Sequence, residues 1–76
     1  MDVETRVKQL FELITNEKLP ADTGDLEVDD LEGWDSVAHM NLILAIEEAF
    51  SVTFSESEIE LSTQYSQLIE ITNKKL

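Results

Sequence analysis

Apolar residues recur at helical spacing in four separate segments of the chain. The first segment predicts a helix over Val3–Thr15, with Asp2 as its N-cap, because its apolar positions fall on one helical face. That face contains Val3, Val7, Leu10, Phe11 and Ile14. Pro20 then prevents the helical conformation from continuing.

The second segment, which is the most apolar, predicts a helix over Ser36–Phe50. Either Asp35 or Ser36 can act as its N-cap, since both side chains can accept a hydrogen bond from the free amides of a first helical turn. Its wide apolar face is typical of a helix at the centre of a fold. The face contains Val37, Met40, Ile43, Leu44, Ile46, Ala49 and Phe50, and it is broadened by Leu42 and Ala45.

Two further helices are predicted in the last third of the chain. Ser55 and Glu58 form a capping-box pattern ahead of a short helix over Glu56–Leu61. Thr63 is the predicted cap of a helix over residues 64–74, which would bury Tyr65, Leu68, Ile69 and Leu76. With no alternating strand pattern, the expected fold is all-α: a small antiparallel four-helix bundle, three main helices and one short one, in a single domain over residues 1–76.

The segment between Pro20 and Trp34 is a long first loop that is rich in acidic residues and carries three spaced apolar ones. Leu26, Val28 and Leu31 predict that this loop is ordered and pinned to the core. An EF-hand calcium loop starting at Asp25 would need glycine and glutamate where the chain has Asp30 and Ser36. We therefore expect no dedicated metal site, but a solvated acidic loop that binds divalent cations weakly at most. It contains Asp22, Asp25, Glu27, Asp29, Asp30 and Glu32.

The composition restricts the class of partner. Seventeen acidic residues against five basic ones give a formal net charge of −12, which argues against nucleic acids and anionic membranes and favours partners with basic patches. The chain has no cysteine, so disulfides and thiolate metal sites are excluded. Without a bilayer-spanning apolar run or a signal-peptide pattern, we expect a soluble cytoplasmic protein. We also expect it to be a monomer.

Ser36 and His39 lie three residues apart in the second predicted helix and could share one face. A serine hydrolase would also need an orienting acid, an oxyanion hole and a cleft, for which so small a bundle has little room. We therefore expect no catalytic residue and an exposed histidine at this position. Trp34 is expected to be a core residue that clamps the loop against the helices, and a ligand-stacking residue is the alternative.

Local physics leaves two interpretations of Ser36 open. The serine can be an N-cap and nothing more, because serine is common at helix starts. Alternatively, a phosphodiester on its oxygen would lie at the positive end of the helix. The neighbouring Asp35 repels an anion, which makes more sense if a modifying enzyme reads the Asp-Ser pair.

The chain resembles the acyl carrier proteins of the stand-alone type. The resemblance rests on Gly33-Trp34-Asp35-Ser36-Val37, on the Leu42–Phe50 stretch and on Val52-Thr53-Phe54 before an acidic third helix. In that family the serine of an Asp-Ser-Leu motif carries 4′-phosphopantetheine, transferred from coenzyme A. The resemblance therefore implies that Ser36 is the attachment point and that Asp35 is recognised by the modifying enzyme.

The resemblance also implies a function and a set of further residues. Acyl groups would travel as thioesters on the arm, sheltered in a cavity whose candidate lining is Leu42, Ile46, Phe50, Phe54, Ile59, Leu61 and Leu68. The implied partners are a phosphopantetheinyl transferase and acyl-loading and acyl-transferring enzymes with basic docking patches. The residues expected to dock on them are Val37, Met40, Glu47 and Glu48.

Departures from the family pattern bear on the pathway. Val37 replaces the usual leucine, and Ala38, His39 and Asn41 stand where fatty-acid-synthase carriers are often acidic or polar. These changes favour a dedicated fatty-acid, polyketide or related pathway over housekeeping fatty acid synthesis. The alternatives are an aminoacyl or peptidyl carrier with the same arm, a non-covalent acidic interaction module, and an esterase using Ser36 and His39.

Overall fold

The computed structural model describes residues 2–24 and 26–76 and confirms the all-α prediction. In chain order, the helices are α1 (Val3–Thr15), α2 (Ser36–Phe50), α3 (Glu56–Leu61) and α4 (Tyr65–Lys74). The first three have the predicted bounds, and α4 begins one residue later than predicted.

The ends of the first two helices follow from local backbone chemistry. The carboxylate of Asp2 accepts from the Thr5 amide at 2.8 Å, as predicted for an N-cap. At its other end α1 stops at Asn16, whose left-handed backbone (φ 57°) breaks the helix ahead of Pro20. Ser51 ends α2 in the same way with φ 55°.

The junction between α3 and α4 differs from its prediction at one residue. The Ser55–Glu58 capping box is present, with both reciprocal hydrogen bonds formed. The prediction that Thr63 caps α4 is wrong, because its hydroxyl donates to the Glu60 carbonyl at 3.0 Å. Gln64 takes the N-cap position of α4 and makes no capping hydrogen bond through its side chain.

The core forms around a cluster of aromatic rings. Phe11 of α1 meets Trp34 edge-on with ring centres 4.9 Å apart, and Tyr65 of α4 packs against both rings. Trp34 is fully buried, which confirms its predicted place in the core. The buried apolar residues are Val7, Leu10, Phe11, Trp34, Leu42, Ile43, Ile46, Phe54, Tyr65, Leu68 and Ile71, whereas Leu76, expected in the core, is exposed.

The long first loop is attached to the α3–α4 junction, as predicted. Val28 donates its amide to the Thr63 carbonyl, and the Tyr65 amide donates to the Leu26 carbonyl, both at 2.8 Å. Leu26, Val28 and Leu31 are partly buried against the core. Asp25 lies outside the described residues, and no three metal-ligating side chains come together in the ranges 2–24 and 26–76.

No helix within those ranges is both long and apolar enough to cross a membrane.

Gly33 brings the end of this loop close to the end of α1. Its amide donates to the Glu17 carboxylate at 2.7 Å. A Cβ at this position would overlap the Thr15 carbonyl oxygen and lie 2.8 Å from Glu17 Cγ. The absence of a side chain at Gly33 therefore allows the segment just ahead of Trp34 to lie against α1.

We predict that Gly33→Ala destabilises the protein by about 1–3 kcal/mol, because the added methyl must displace backbone atoms at the end of α1. Urea unfolding measures the change. Gly24→Ala is the matched control, since its Cβ would make only an ordinary contact at 3.4 Å with Asp22. Equal midpoints for the two variants would contradict the tight approach at Gly33.

Candidate functional site

Ser36 is the first residue of α2, and its side chain is exposed. The N-cap is Asp35, whose carboxylate accepts from the Ala38 amide at 2.8 Å. Among the described residues, no side-chain hydrogen bond involves the Ser36 hydroxyl. Asp35 therefore has the capping role, and the Ser36 hydroxyl is available at the surface.

The start of α2 is electrostatically suited to an anion beside that hydroxyl. The first intrahelical hydrogen bond runs from the His39 amide to the Asp35 carbonyl at 2.9 Å, so the amides of Ser36 and Val37 have no acceptor within the helix. They lie at the positive end of a 15-residue helix dipole. The Asp35 carboxylate offsets part of this positive potential.

Trp34 fixes the position from which α2 starts. Its indole is in the core, its amide donates to the Leu31 carbonyl at 3.0 Å, and its carbonyl accepts from the Asp29 amide at 2.7 Å. Both the side chain and the backbone are thus held two residues before Ser36. The serine sits on a rigid support.

His39 is buried, with 3% of its surface exposed, and the prediction of an exposed helix-surface histidine is wrong. Trp34 Nε1 donates to His39 Nδ1 at 3.2 Å, and His39 Nε2 lies 3.1 Å from Ser62 Oγ. Burial lowers the pKa of His39, while a hydrogen bond with the Ile59 backbone acts in the opposite direction.

Because of these hydrogen bonds, His39 is not available as a base for Ser36. Both ring nitrogens of His39 are directed at Trp34 and Ser62, and its side chain lies in the core while Ser36 faces solvent. A nucleophilic serine needs its base within hydrogen-bond reach. The arrangement offers no Ser36–His39 dyad.

The apolar face of α2 is narrower than the sequence suggests. Val37, Met40 and Leu44 are exposed by 71%, 44% and 57%, although all three were predicted on the buried face. They follow one another at spacings of three and four residues, which places them on one stripe of the helix. Leu44 thus extends the predicted docking residues Val37 and Met40 along the same surface.

The two predicted docking glutamates have different environments. Glu48 is exposed. Glu47 is half-buried, and its carboxylate accepts from the Phe54 amide at 2.7 Å, which fixes the connection after α2. Glu47 therefore has a structural partner within the fold, and Glu48 is the one whose side chain is directed to solvent.

The candidate cavity residues divide into three groups. Leu42, Ile46, Phe54 and Leu68 are buried in the core, and Phe50 and Ile59 are half-buried against it. Leu61 is 60% exposed and lies apart from the others. Two surface grooves are lined by other residues: one by Tyr65 with the loop around Pro20, and one by Leu10 with Ala45.

The helical register could have revealed the place of His39. Residues 39, 43 and 46 follow at spacings of four and three, so His39 shares a face with the buried Ile43 and Ile46. Ser62 carried no comparable signal, because its partner lies 23 residues away in the chain.

We predict that Asp35→Ala costs about 0.5–2 kcal/mol of stability through loss of the cap, whereas Ser36→Ala changes stability by less than about 0.5 kcal/mol. Urea unfolding of the two variants gives the comparison. Asp35→Asn, which keeps a capping oxygen, is the control and should stay close to the wild type. A larger loss of stability for Ser36→Ala than for Asp35→Ala would show that Ser36, and not Asp35, caps α2.

No family model matches the chain. A solved structure of similar fold is the solution NMR structure of a holo acyl carrier protein from Geobacter metallireducens. The two superpose with a TM-score of 0.83 and 24% sequence identity, and the match covers 99% of this chain and 86% of the other. The chain therefore has the fold of an acyl carrier protein.

Proposed function

We propose that this protein is a carrier, not an enzyme, that bears 4′-phosphopantetheine on Ser36 and delivers acyl thioesters to partner enzymes. One observation carries the proposal: Ser36 is exposed at the first position of α2, while Asp35 supplies the cap. The fold shared with a holo acyl carrier protein supports the same function over residues 1–76.

The residues around Ser36 fit a phosphodiester. Its hydroxyl is at the surface, and the amides of Ser36 and Val37, which have no acceptor within α2, lie at the positive helix end, where an anion is stabilised. The Asp35 carboxylate, next to Ser36 in the chain, opposes the anion. Because Asp35 is committed to the Ala38 amide, its carboxylate presents a fixed feature for the modifying enzyme to recognise.

Attachment would be a transfer of one group from coenzyme A. The Ser36 oxygen would form a bond to phosphorus, the bond from phosphorus to the departing adenosine 3′,5′-bisphosphate would break, and the hydroxyl proton would pass to a base of the transferase. No base from this chain is needed, which agrees with the hydrogen bonding of His39 to Trp34 and Ser62. When bound, the arm supplies the thiol that this cysteine-free chain lacks.

The surface beside Ser36 supplies a docking site for enzymes of the pathway. Val37, Met40 and Leu44 form an exposed apolar stripe, and Glu48 adds a negative charge to the same helix. A partner with an apolar patch edged by basic residues would match this surface. The candidate cavity residues Leu42, Ile46, Phe54 and Leu68 would have to separate to admit an acyl chain, since they fill the core.

The reduced charge at Ala38, His39 and Asn41 favours a dedicated fatty-acid, polyketide or related pathway. In this proposal the protein acts in the cytoplasm and is a monomer. Because His39 is buried, Ala38 and Asn41 are the two of these residues that bear on the charge of the surface. An aminoacyl or peptidyl cargo on the same arm is the nearest alternative within this function.

Incubation with coenzyme A and a broad-specificity phosphopantetheinyl transferase should add roughly 340 Da, the mass of one arm. Intact-mass spectrometry measures the gain, and Ser36→Ala should abolish it. Ser66→Ala is the matched control, because Ser66 is likewise an exposed serine in the first turn of a helix, α4, and its variant should be modified normally. A wild type that gains no mass would favour the non-covalent interaction module.

Charge reversal at Glu48 should weaken association with the cognate enzymes about 2–10-fold, with an unchanged helical circular dichroism spectrum. Surface plasmon resonance at low salt measures the affinity. Glu70→Lys on α4 makes the same change in net charge and should bind like the wild type. If both variants lose affinity equally, net charge rather than the α2 surface controls docking.

A further inference from the structure

A buried chain of side-chain hydrogen bonds joins three parts of the fold. Trp34 Nε1 donates to His39 Nδ1 at 3.2 Å, and His39 Nε2 lies 3.1 Å from Ser62 Oγ. Ser62 Oγ in turn donates to the Ile59 carbonyl at 2.7 Å. Because Trp34 precedes α2 and Ser62 follows α3, these hydrogen bonds connect the segment ahead of Ser36 to the end of α3.

The direction of these hydrogen bonds fixes the state of the imidazole. An indole N–H can only donate, so His39 Nδ1 must carry a lone pair. The Ser62 hydroxyl uses its proton on the Ile59 carbonyl, and its oxygen therefore accepts from His39 Nε2–H. The arrangement requires a neutral His39 with its proton on Nε2.

Protonation of His39 is incompatible with this arrangement. A proton on Nδ1 would face the Trp34 N–H donor across 3.2 Å, so that hydrogen bond would be lost. Trp34 is fully buried, and its N–H would remain in the core without the acceptor it now uses. The imidazolium would also lie in a site that is 3% exposed.

The carboxylates of Asp35, four residues before His39, and of Glu58 on α3 each have another partner in the fold. Asp35 accepts from the Ala38 amide, and Glu58 of α3 is paired with Lys75 at 2.8 Å. Neither hydrogen-bonds to the ring of His39.

The other carboxylates of α3 and the phenol at the start of α4 do not supply a counter-charge either. Glu56 and Glu60 of α3 are exposed. At the start of α4, burial raises the pKa of Tyr65 to about 12, with the α1 residues Glu4 and Glu12 adding to the shift, so this phenol is neutral at ordinary pH. Burial is the main reason that the pKa of His39 is lowered.

We propose that Trp34, His39 and Ser62 form a pH-sensitive latch, closed with neutral His39 and open with the imidazolium, which holds the segment ahead of Ser36 against α2 and the end of α3. The latch is a property of the fold and does not depend on what Ser36 carries. Opening it loosens the support on which Ser36 sits.

The sign of the pH effect follows from the lowered pKa. The unfolded chain takes up the proton near the ordinary histidine value of 6.5, before the folded protein does. The contribution of His39 to stability is therefore fully present above that value. It is lost as the pH falls through 6.5 towards the lower pKa of the folded state.

The chain has one tryptophan and one histidine, so each end of the hydrogen bond has a single NMR signal. Titration of the wild type from about pH 8 to about pH 5 should move the indole N–H signal together with the His39 ring signal. Their shared midpoint should lie below 6.5. Amide exchange at Trp34 and Ser62, corrected for intrinsic rates, should become about tenfold faster as the latch opens.

His39→Gln controls for the titration of the carboxylates, which occurs in both the wild type and the variant. In this variant the indole step should be absent, and stability should lose its dependence on pH near the histidine range. An indole signal that stays constant while His39 titrates would overturn the latch. A His39 ring that stays neutral until the whole protein unfolds would also overturn the latch. The titration of the wild type decides both points, even if H39Q does not fold.

Discussion

The burial of Trp34 is the constraint on which the rest of the structure depends. The indole packs edge-on against Phe11 and Tyr65, which joins α1 and α4 to the segment that leads into α2. Gly33 permits this approach because no side chain stands between it and the end of α1. Asp35 and Ser36 follow directly, so fixing Trp34 also fixes the place where α2 begins and where the Ser36 hydroxyl meets solvent.

Much of the acidity of this chain stabilises backbone geometry. Glu17 accepts from the Gly33 amide, Asp35 from the Ala38 amide and Glu47 from the Phe54 amide, each in a connection or at a helix start. A carboxylate is a strong acceptor for a backbone N–H that has no other partner. Not all of the 17 acidic side chains are therefore free to contact a partner. Glu48 is one of those directed to solvent.

The sequence predicted the helices well because their signals are local. Apolar spacing, the cap at Asp2 and the capping box at Ser55 each depend on residues within one or two turns, and α1, α2 and α3 have the predicted bounds. The cap of α4 was wrong because Thr63 finds a carbonyl in the preceding turn. A threonine hydroxyl can bond in either direction, and spacing alone does not decide which.

The environment of the candidate site was harder to predict because it depends on contacts between elements. The motif around Ser36 was evident from neighbouring residues, but the position of His39 depends on Trp34 and on Ser62, which lies 23 residues away. Likewise, Val37, Met40 and Leu44 are apolar by composition, and only the packing of α2 shows that they face solvent. Apolar residues on a helix identify a buried face only when the neighbouring elements are known.

We propose above all that Ser36 is a covalent attachment point. The most direct measurement is fragmentation mass spectrometry of the protein isolated from its natural source at its natural abundance, without added transferase. We expect a phosphopantetheine group localised to Ser36 in a substantial fraction of the molecules. A population that carries no such group, or that carries it on another residue, would contradict this role of Ser36.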